Sequence, residues 1–358
     1  MPDHGVTRSA TPARRSPAPD VCRDVGADEW DRYVNSQPDA SVYHLAGWAG
    51  VVERVFGHQT SYLAARVGER IVGVLPLVLF RTPLFGRFAV SMPFVNYGGI
   101  VADTDDARGV LLAAAIHDAR AAGAAYLELR HARRLFEHLP ARTHKVAMIL
   151  DLQPSVDEQW RVLDRKLRNQ VRKAEKEGLQ VRSGGLELLG EFYDVLAHNM
   201  RDLGSPVHSR RLFADVLTTF PERTRIFCVS RDSTPMAAAL VLWRGDRLEV
   251  PWASSIRRFN PLCANVLLYW DMLKYGVERR FVQFDFGRST PLEGTYQFKR
   301  QWGAEPRPLY WEYWLNGDAR VPDRGPKNPA FGPAISVWQQ LPVSLTRLLG
   351  PWVVRNIP

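Results

Sequence analysis

The sequence predicts an α/β (α+β) protein made of two successive copies of one unit, and three observations carry that expectation. At 358 residues the chain exceeds the roughly 250 to 300 at which a single core stops growing. Its 46% hydrophobic and 24% charged residues are the balance of a globular protein with apolar material for sizeable cores. A supersecondary unit also recurs. Helical stretches at 107–122 and 262–275 each contain a Leu-Leu pair (Leu111-Leu112 and Leu267-Leu268), and each precedes a strand with an apolar, acidic, apolar triplet (Leu127-Glu128-Leu129 and Phe284-Asp285-Phe286). The acid lies 16 residues beyond the second leucine in one copy and 17 in the other, at a period near 156.

Residues 1–24 read as a disordered arm, with Arg8, Arg14 and Arg15 among Pro, Ser, Thr and Ala and without the apolar core of a signal peptide. Two short helices follow at 28–33 and 44–56, the second with Leu45, Trp48, Val52 and Val55 on one stripe and a stop at Gly57. Segments 61–67 and 71–80 form a hairpin around Gly68-Glu69-Arg70, and a third strand is expected across 88–101. Asp103 to Asp106 supply the acidic start of the helix 107–122, Gly123 stops it, and 124–130 is the next strand. The N-terminal unit is thereby placed at 25–155.

A basic connecting helix is expected at 156–180, where Trp160, Leu163, Leu167, Val171 and Ala174 form an apolar stripe. Its other faces carry Arg161, Arg165, Lys166, Arg168, Arg172, Lys173 and Lys176, and read either as a solvated surface or as one that meets phosphates or tRNA. The C-terminal unit, 181–315, has helices at 186–204 and 210–220, strands at 225–230, 236–243 and 247–254, the helix 262–275 stopped by Gly276, and the strand 281–286. Residues 316–333, with Pro322, Pro326, Pro329 and Pro333, read as a Pro/Gly linker. A C-terminal amphipathic helix and tail occupy 334–358, and Trp338, Leu341, Leu345 and Leu348 either pack on the body or lie on a membrane.

A net charge of +9 disposes the chain towards anionic partners without choosing among them. Cys22, Cys228 and Cys263 are dispersed and odd in number, and no Cys/His pair has metal-ligand spacing, so neither a disulfide framework nor a metal site is expected. No stretch reaches the roughly 18 apolar residues of a membrane span. The expected location is cytoplasmic, with a peripheral contact at the inner face of the membrane left open by the last helix.

The chemistry gathers between Asn260 and Trp314, as a buried helix, an apolar strand, a polar loop with Asp285, Arg288, Ser289, Thr295 and Lys299, and an aromatic strand. Strand alternation puts Phe281, Gln283 and Asp285 on one face, so Asp285 either faces a cleft or ion-pairs with Lys299 or Arg288. Lys299 stands between Phe298 and Trp302, where desolvation would strengthen its hold on a developing oxyanion or a phosphate. Tyr296, Asn265, Asn96 and Tyr97 are further candidate substrate contacts, although Phe94 to Gly99 reads equally as a strand end with a Gly-Gly turn. Trp252 is a candidate stacking platform. Arg257, Arg258, Arg168 and Arg172 are candidate phosphate contacts, the first two also readable as a solvated turn.

Asn265-Val-Leu-Leu-Tyr-Trp-Asp-Met-Leu-Lys-Tyr-Gly276, Asp285-Phe-Gly287, Gly294-Thr-Tyr-Gln-Phe-Lys-Arg-Gln-Trp-Gly303 and the junction beginning Arg168-Asn-Gln-Val-Arg-Lys resemble the FemAB family. Its members are peptidoglycan-bridge aminoacyltransferases with two acetyltransferase-like (GNAT) domains. Segments 44–56 and 94–99 are similar to FemAB-like proteins associated with exosortase (PEP-CTERM) and exopolysaccharide gene clusters, and the resemblance spans roughly residues 25 to 315. It implies tandem GNAT domains with mixed, largely antiparallel sheets and flanking helices. It also implies an acyl- or aminoacyltransferase, an amine or hydroxyl acceptor on a peptidoglycan or exopolysaccharide precursor, and aminoacyl-tRNA or acyl-CoA as co-substrate, with no bound cofactor. Lys299 would stand at the reacting carbonyl, and Asp285 would orient that lysine or the amine.

Two departures bear on the donor. Nothing here has the sustained heptads of the coiled-coil arm carried by tRNA-using members. The Gln/Arg-x-x-Gly-x-Gly/Ala loop that holds coenzyme A is replaced by Asp103-Thr-Asp-Asp in one copy and Arg257-Arg-Phe-Asn-Pro in the other. Two other readings are a coenzyme A-dependent N-acetyltransferase on a sugar nucleotide, and a non-catalytic protein binding an anionic glycolipid or nucleic acid for assembly. Lys299 has no counterpart in the first copy, so chemistry is expected in the second, with acceptor contacts from the first.

Overall fold

The computed structural model describes residues 17–83, 85–322 and 332–357. The first 16 residues of the expected arm, and 323–331 of the expected linker, lie outside the described residues. The arm ends earlier than residue 24, because β1 (Asp20–Cys22) pairs with β2 (Gln59–Val67) and Arg23 forms an ion pair with Asp118 at 2.6 Å. Helices α1 (Ala27–Ser36) and α2 (Gly47–Phe56) lie between these strands. β2 and β3 (Arg70–Thr82) are the predicted hairpin, and β3 is a continuous apolar run because it is buried on both faces.

The strand predicted across 88–101 is instead β4 (Gly86–Val90) and β5 (Val101–Ala102), separated by an irregular loop in which Phe94 takes φ 70° and stacks on Phe56 at 4.3 Å. Packing of Phe94 between units outweighs the strand propensity of its apolar neighbours. Helix α3 (Asp105–Ala121), capped by the Thr104 side chain on the Ala107 amide, leads into β6 (Tyr126–His131), β7 (Ala141–Arg142) and β8 (Val146–Asp151).

The connecting helix is broken. It divides into α4 (Val156–Val162) and α5 (Arg165–Lys176), because Leu163 is extended and Asp164 caps a new helix by accepting the Leu167 amide at 2.7 Å. β9 (Gln180–Gly184), α6 (Leu189–Asp202), α7 (Arg210–Thr219), β10 (Thr224–Arg231), β11 (Thr234–Arg244) and β12 (Arg247–Ser255) follow. Helix α8 (Ala264–Glu278) runs through the expected stop at Gly276, where a Cβ would lie 3.0 Å from Leu152; the glycine serves close packing rather than termination. After β13 (Gln283–Ser289), the expected polar loop contains a short helix, α9 (Gly294–Arg300), before β14 (Glu305–Pro308) and the predicted aromatic strand β15 (Tyr310–Leu315). The last predicted helix is two, α10 (Gly332–Gln340) and α11 (Val343–Val354), divided before Pro342.

Among the described residues the strands form two sheets, ordered β1-β2-β3-β4-β6-β15-β7 with β5 beside β3, and β14-β8-β13-β12-β11-β10-β9. Pairing is antiparallel except for β4 with β6 and β12 with β13. The repeat is explicit in these parallel pairs, since Val90 stands opposite Glu128 and Glu249 opposite Asp285. This is the predicted architecture of two mixed, largely antiparallel units with flanking helices.

The sheets also exchange strands across residue 155. β8, from the N-terminal half, lies between β13 and β14, while β15, from the C-terminal half, lies between β6 and β7. A core between the sheets draws on both halves, including Tyr43, Phe88, Ile149, Phe213 and Tyr313. Helix α11 packs on α6, Arg347 reaches Asp194 at 2.7 Å, and Arg355 donates to the Phe56 carbonyl at 2.6 Å. One face of α11 is thus committed to the body, while Leu348 and Trp352 stay 65% and 67% exposed.

Because each sheet needs a strand from the other half, fragments 1–155 and 156–358 expressed separately are expected to show no cooperative thermal transition, and to regain one when co-expressed. A sharp transition in either fragment alone would show that the exchanged strand is dispensable.

Candidate functional site

The two parallel strands of the second sheet part at its centre. β12 and β13 pair from Arg247 opposite Gln283 to Glu249 opposite Asp285 and then diverge, while β13 slips register against β8 between Asp285 and Arg288. Gly287 has φ 74° and its missing Cβ would lie 3.0 Å from the Val250 carbonyl and 3.6 Å from Asn96 Nδ2, so glycine admits the loop from the first half into this opening.

That loop meets two buried carboxylates. Glu249 is 3% and Asp285 0% exposed. Glu249 Oε1 accepts from the Tyr43 hydroxyl at 2.8 Å and from Asn96 Nδ2 at 2.9 Å. Asp285 Oδ2 accepts from the Tyr97 hydroxyl at 2.7 Å, and Oδ1 from the Gly287 amide at 2.8 Å. Burial, reinforced by Asp285, pushes the Glu249 carboxyl up to about 8, and burial also raises Asp285, against the pull of its donors. Glu249 therefore carries a proton near neutral pH. Both Asp285 oxygens already accept hydrogen bonds whereas the donors to Glu249 converge on Oε1, so Glu249 Oε2 is the natural seat of that proton.

Lys299 sits at the other side of Gly287, 8% exposed. Its ammonium donates to the carbonyls of Gly287 at 3.1 Å and Arg288 at 2.9 Å, the backbone groups released by the slip in β13. Burial brings it down to about 8, opposed by the Asp285 charge. Two of its three N–H groups are thus committed and one remains. The direct pairing of Asp285 with Lys299 or Arg288, one alternative from the sequence, is replaced by the bonds to Tyr97 and Gly287. The aromatic residues flanking Lys299 face the core, where Phe298 and Trp302 lie 5.1 and 6.1 Å from the Tyr269 ring.

A cavity of about 260 Å³ opens beside the network, lined by Arg108, Arg133, Arg247, Arg307 and Tyr97 together with Asp39, which pairs with Arg133 at 2.8 Å. A smaller one, about 50 Å³, is lined by Ser41, Tyr97, Arg247 and Glu249. His131 borders the larger cavity, but its Nε2 accepts the Ile100 amide at 2.9 Å and its Nδ1 faces Glu312 at 2.6 Å, which locks the ring as structure. In the first copy Glu128 is neutralised by Arg130 at 2.7 Å and bonded by the Tyr313 hydroxyl at 3.0 Å.

The structure therefore brings together Asp285, Lys299, Arg288, Ser289, Asn96 and Tyr97 from the predicted set. The others stand apart from this network. Trp252 is half-buried and packed edge-on against Phe213 at 5.3 Å at the margin of the core. Arg257 and Arg258 are exposed on the turn before α8, Asn265 is half-buried in its first turn, Thr295 is exposed and Tyr296 half-buried on α9. Arg168 and Arg172 lie on α5, with Arg172 over the Trp160 ring at 5.4 Å. Sequence reasoning missed Glu249, Tyr43 and Arg247; Glu249 is the acid in an apolar strand, the same signal that marked Asp285. Among the described residues no group of three or more His, Cys, Asp or Glu is arranged to hold a metal.

Residues 162–300 match the acetyltransferase (GNAT) domain family, which puts a transferase domain around this site. No curated protein matches the chain. Similar solved structures include FemX, with a TM-score of 0.67 at 16% identity over 83% of this chain and 97% of that one. A domain assigned to a lysylphosphatidylglycerol synthetase of Agrobacterium fabrum has a TM-score of 0.56 at 13% identity, covering 81% and 91%. A tandem GNAT protein from the clavulanic acid biosynthesis pathway has a TM-score of 0.50 at 14% identity, covering 83% and 94%. The fold is thus that of tandem GNAT proteins.

A carboxyl whose pKa is raised on folding contributes stability below the ordinary carboxylate range and loses it as pH climbs through about 8. Glu249→Gln removes that loss, so its melting temperature relative to the unaltered protein is expected to be higher at pH 9 than at pH 5. An equal difference at both pH values would show that Glu249 carries no raised pKa.

Proposed function

We propose that the protein is an acyl- or aminoacyltransferase that acts on the amine, or hydroxyl, of an anionic cell-envelope precursor, of the peptidoglycan or exopolysaccharide class. The reading rests above all on the uncommitted N–H of buried Lys299 near the buried carboxyls of Glu249 and Asp285. The resemblance to the FemAB family, the match to the GNAT domain and the fold shared with FemX and a lysylphosphatidylglycerol synthetase domain support it. The arginine-lined cavity suits an anionic acceptor.

In this proposal the acyl donor, an activated ester or thioester, is bound as co-substrate and the acceptor amine attacks its carbonyl carbon. The new C–N bond forms as the carbonyl π electrons move to oxygen, and the third N–H of Lys299 holds the oxyanion. Collapse restores the carbonyl and breaks the bond to the leaving group. The proton shed by the amine passes to the carboxylate pair, and the leaving alkoxide or thiolate takes one back. Asp285 holds the Tyr97 hydroxyl and the Gly287 amide rather than touching the lysine. An aminoacyl ester, as in aminoacyl-tRNA, is the preferred donor, since the turn before α8 contains Pro261 and lacks the glycine loop that holds coenzyme A.

Transfer of a radiolabelled aminoacyl group from aminoacyl-tRNA to nucleotide- and lipid-linked envelope precursors provides the assay. Lys299→Met is expected to lower kcat by about 10²- to 10³-fold with little change in KM, and Glu249→Gln by at least about 10²-fold. Because Lys299 must stay protonated, the rate should fall above about pH 8, and Lys299→Arg should carry that limb to higher pH. Full turnover by Lys299→Met would remove the lysine from the mechanism.

A further inference from the structure

We propose that Arg288 and Trp311 form a phosphate-binding subsite on the Lys299 side of the junction between the two sheets. The exchanged strand β15 carries Trp311 into the first sheet, directly opposite Arg130 on β6 and Arg142 on β7. The Arg130 guanidinium lies 4.5 Å from the indole centroid, and Arg288 reaches over the same ring from the second sheet at 5.5 Å. His144 meets the ring edge-on at 5.3 Å. Two guanidiniums thereby meet one half-buried indole, while burial holds His144 towards its neutral form.

The two guanidiniums differ in how they are satisfied. Arg130 donates to Glu128 at 2.7 Å and to the Val95 carbonyl at 2.8 Å. Arg288 Nη1 is buried with no hydrogen-bond partner, and so is Trp311 Nε1. Burial, and secondarily Arg130, brings Arg288 down to about 10, against a partial pull from the Glu128 charge that Arg130 already pairs with. A charged group without a hydrogen-bonded partner destabilises a fold, and an unsatisfied buried donor marks a place for a water, an ion or a ligand. An unpartnered guanidinium N–H and an unpartnered indole N–H, with no carboxylate bonded to either, match a group that only accepts and carries negative charge. Phosphate fits this better than a single carboxylate because it has oxygens for both the planar guanidinium and the separate indole N–H. Since Lys299 holds the Arg288 carbonyl at 2.9 Å, a phosphate here is anchored within one residue of the proposed oxyanion donor.

The phosphate belongs either to the donor, as in a nucleic-acid or coenzyme A carrier, or to a nucleotide- or lipid-linked acceptor, and this choice alone rests on the transfer reading above. Calorimetric titration of the full-length protein with inorganic phosphate tests the subsite itself. Saturable millimolar binding is expected, weakened at least tenfold in Arg288→Gln and severalfold in Trp311→Phe, which keeps the ring and removes the N–H. Arg288→Gln should also melt at a higher temperature than the unaltered protein in phosphate-free buffer, because it relieves an unpaired buried charge. If Arg288→Gln does not fold, Trp311→Phe decides. No binding to the unaltered protein, or unchanged affinity in the folded variants, overturns the subsite. Lys299→Met should still bind phosphate saturably, with a smaller loss of affinity than Arg288→Gln, so loss of transfer and loss of the subsite are separable. In the transfer assay, phosphate competing with the donor places the subsite on the donor side, and competition with the acceptor places it on the acceptor side; competition with neither excludes it from both and overturns the proposal.

Discussion

Everything at the centre of this molecule depends on two carboxylates being buried side by side. Glu249 and Asp285 face each other across parallel strands of one sheet, while the hydroxyls of Tyr43 and Tyr97 and the amide of Asn96 arrive from the other half of the chain. A buried acid without donors costs several kcal/mol, and losing even one neutral donor costs about 1–3 kcal/mol. The donors stabilise the pair, and the pair holds the loop that carries two of them. Site and interface are consequently one object, and neither half contains it alone.

The duplication shows how the same scaffold is put to two uses. Each copy has an acid at the same place on its parallel strand, and each acid accepts from a tyrosine of the opposite half, Tyr313 on Glu128 and Tyr97 on Asp285. In the first copy Arg130 compensates the acid two residues away on the same strand. In the second, Gly287 occupies the corresponding place and Glu249 lies across from Asp285, so the side chain that would have neutralised the acid is absent and a second buried acid with a raised pKa stands beside it. The strand exchange makes this cross-bracing possible, because β15 delivers Tyr313 to the far sheet.

The repeat, the two helices with their leucine pairs and the polar residues around Gly287 are legible in the sequence because their signals are local: periodicity, glycine stops and acids inside apolar strands. Asp285, Lys299, Arg288, Asn96 and Tyr97 were all visible in that way. Glu249 carries the same local signal as Asp285, and only the parallel pairing of strands more than thirty residues apart gives it meaning. The exchange of β8 and β15 is likewise a matter of pairing partners, to which a strand's own residues are silent. Where local reading failed outright, a specific contact won: Asp164 capping a new helix, Leu152 packed on Gly276, Phe94 stacked on Phe56.

Lys299 and Arg288 are adjacent in space, both largely buried, and neither is bonded to a carboxylate; their hydrogen bonds and orphan donors point to backbone carbonyls and to nothing. Both are displaced towards their neutral forms by burial, and the Arg288 charge lowers Lys299 further. A fold tolerates this only because the second sheet is over-determined elsewhere, through the apolar packing of α8 and the aromatic cluster of Tyr269, Phe286 and Trp302. The cost falls when negative charge enters, whether a bound anion or the oxyanion of a tetrahedral intermediate. Binding energy available at Arg288 and charge stabilisation available at Lys299 thus derive from the same electrostatic deficit, so the two cations are coupled: an anion that satisfies the first raises the pKa of the second and keeps it protonated for the step in which it acts.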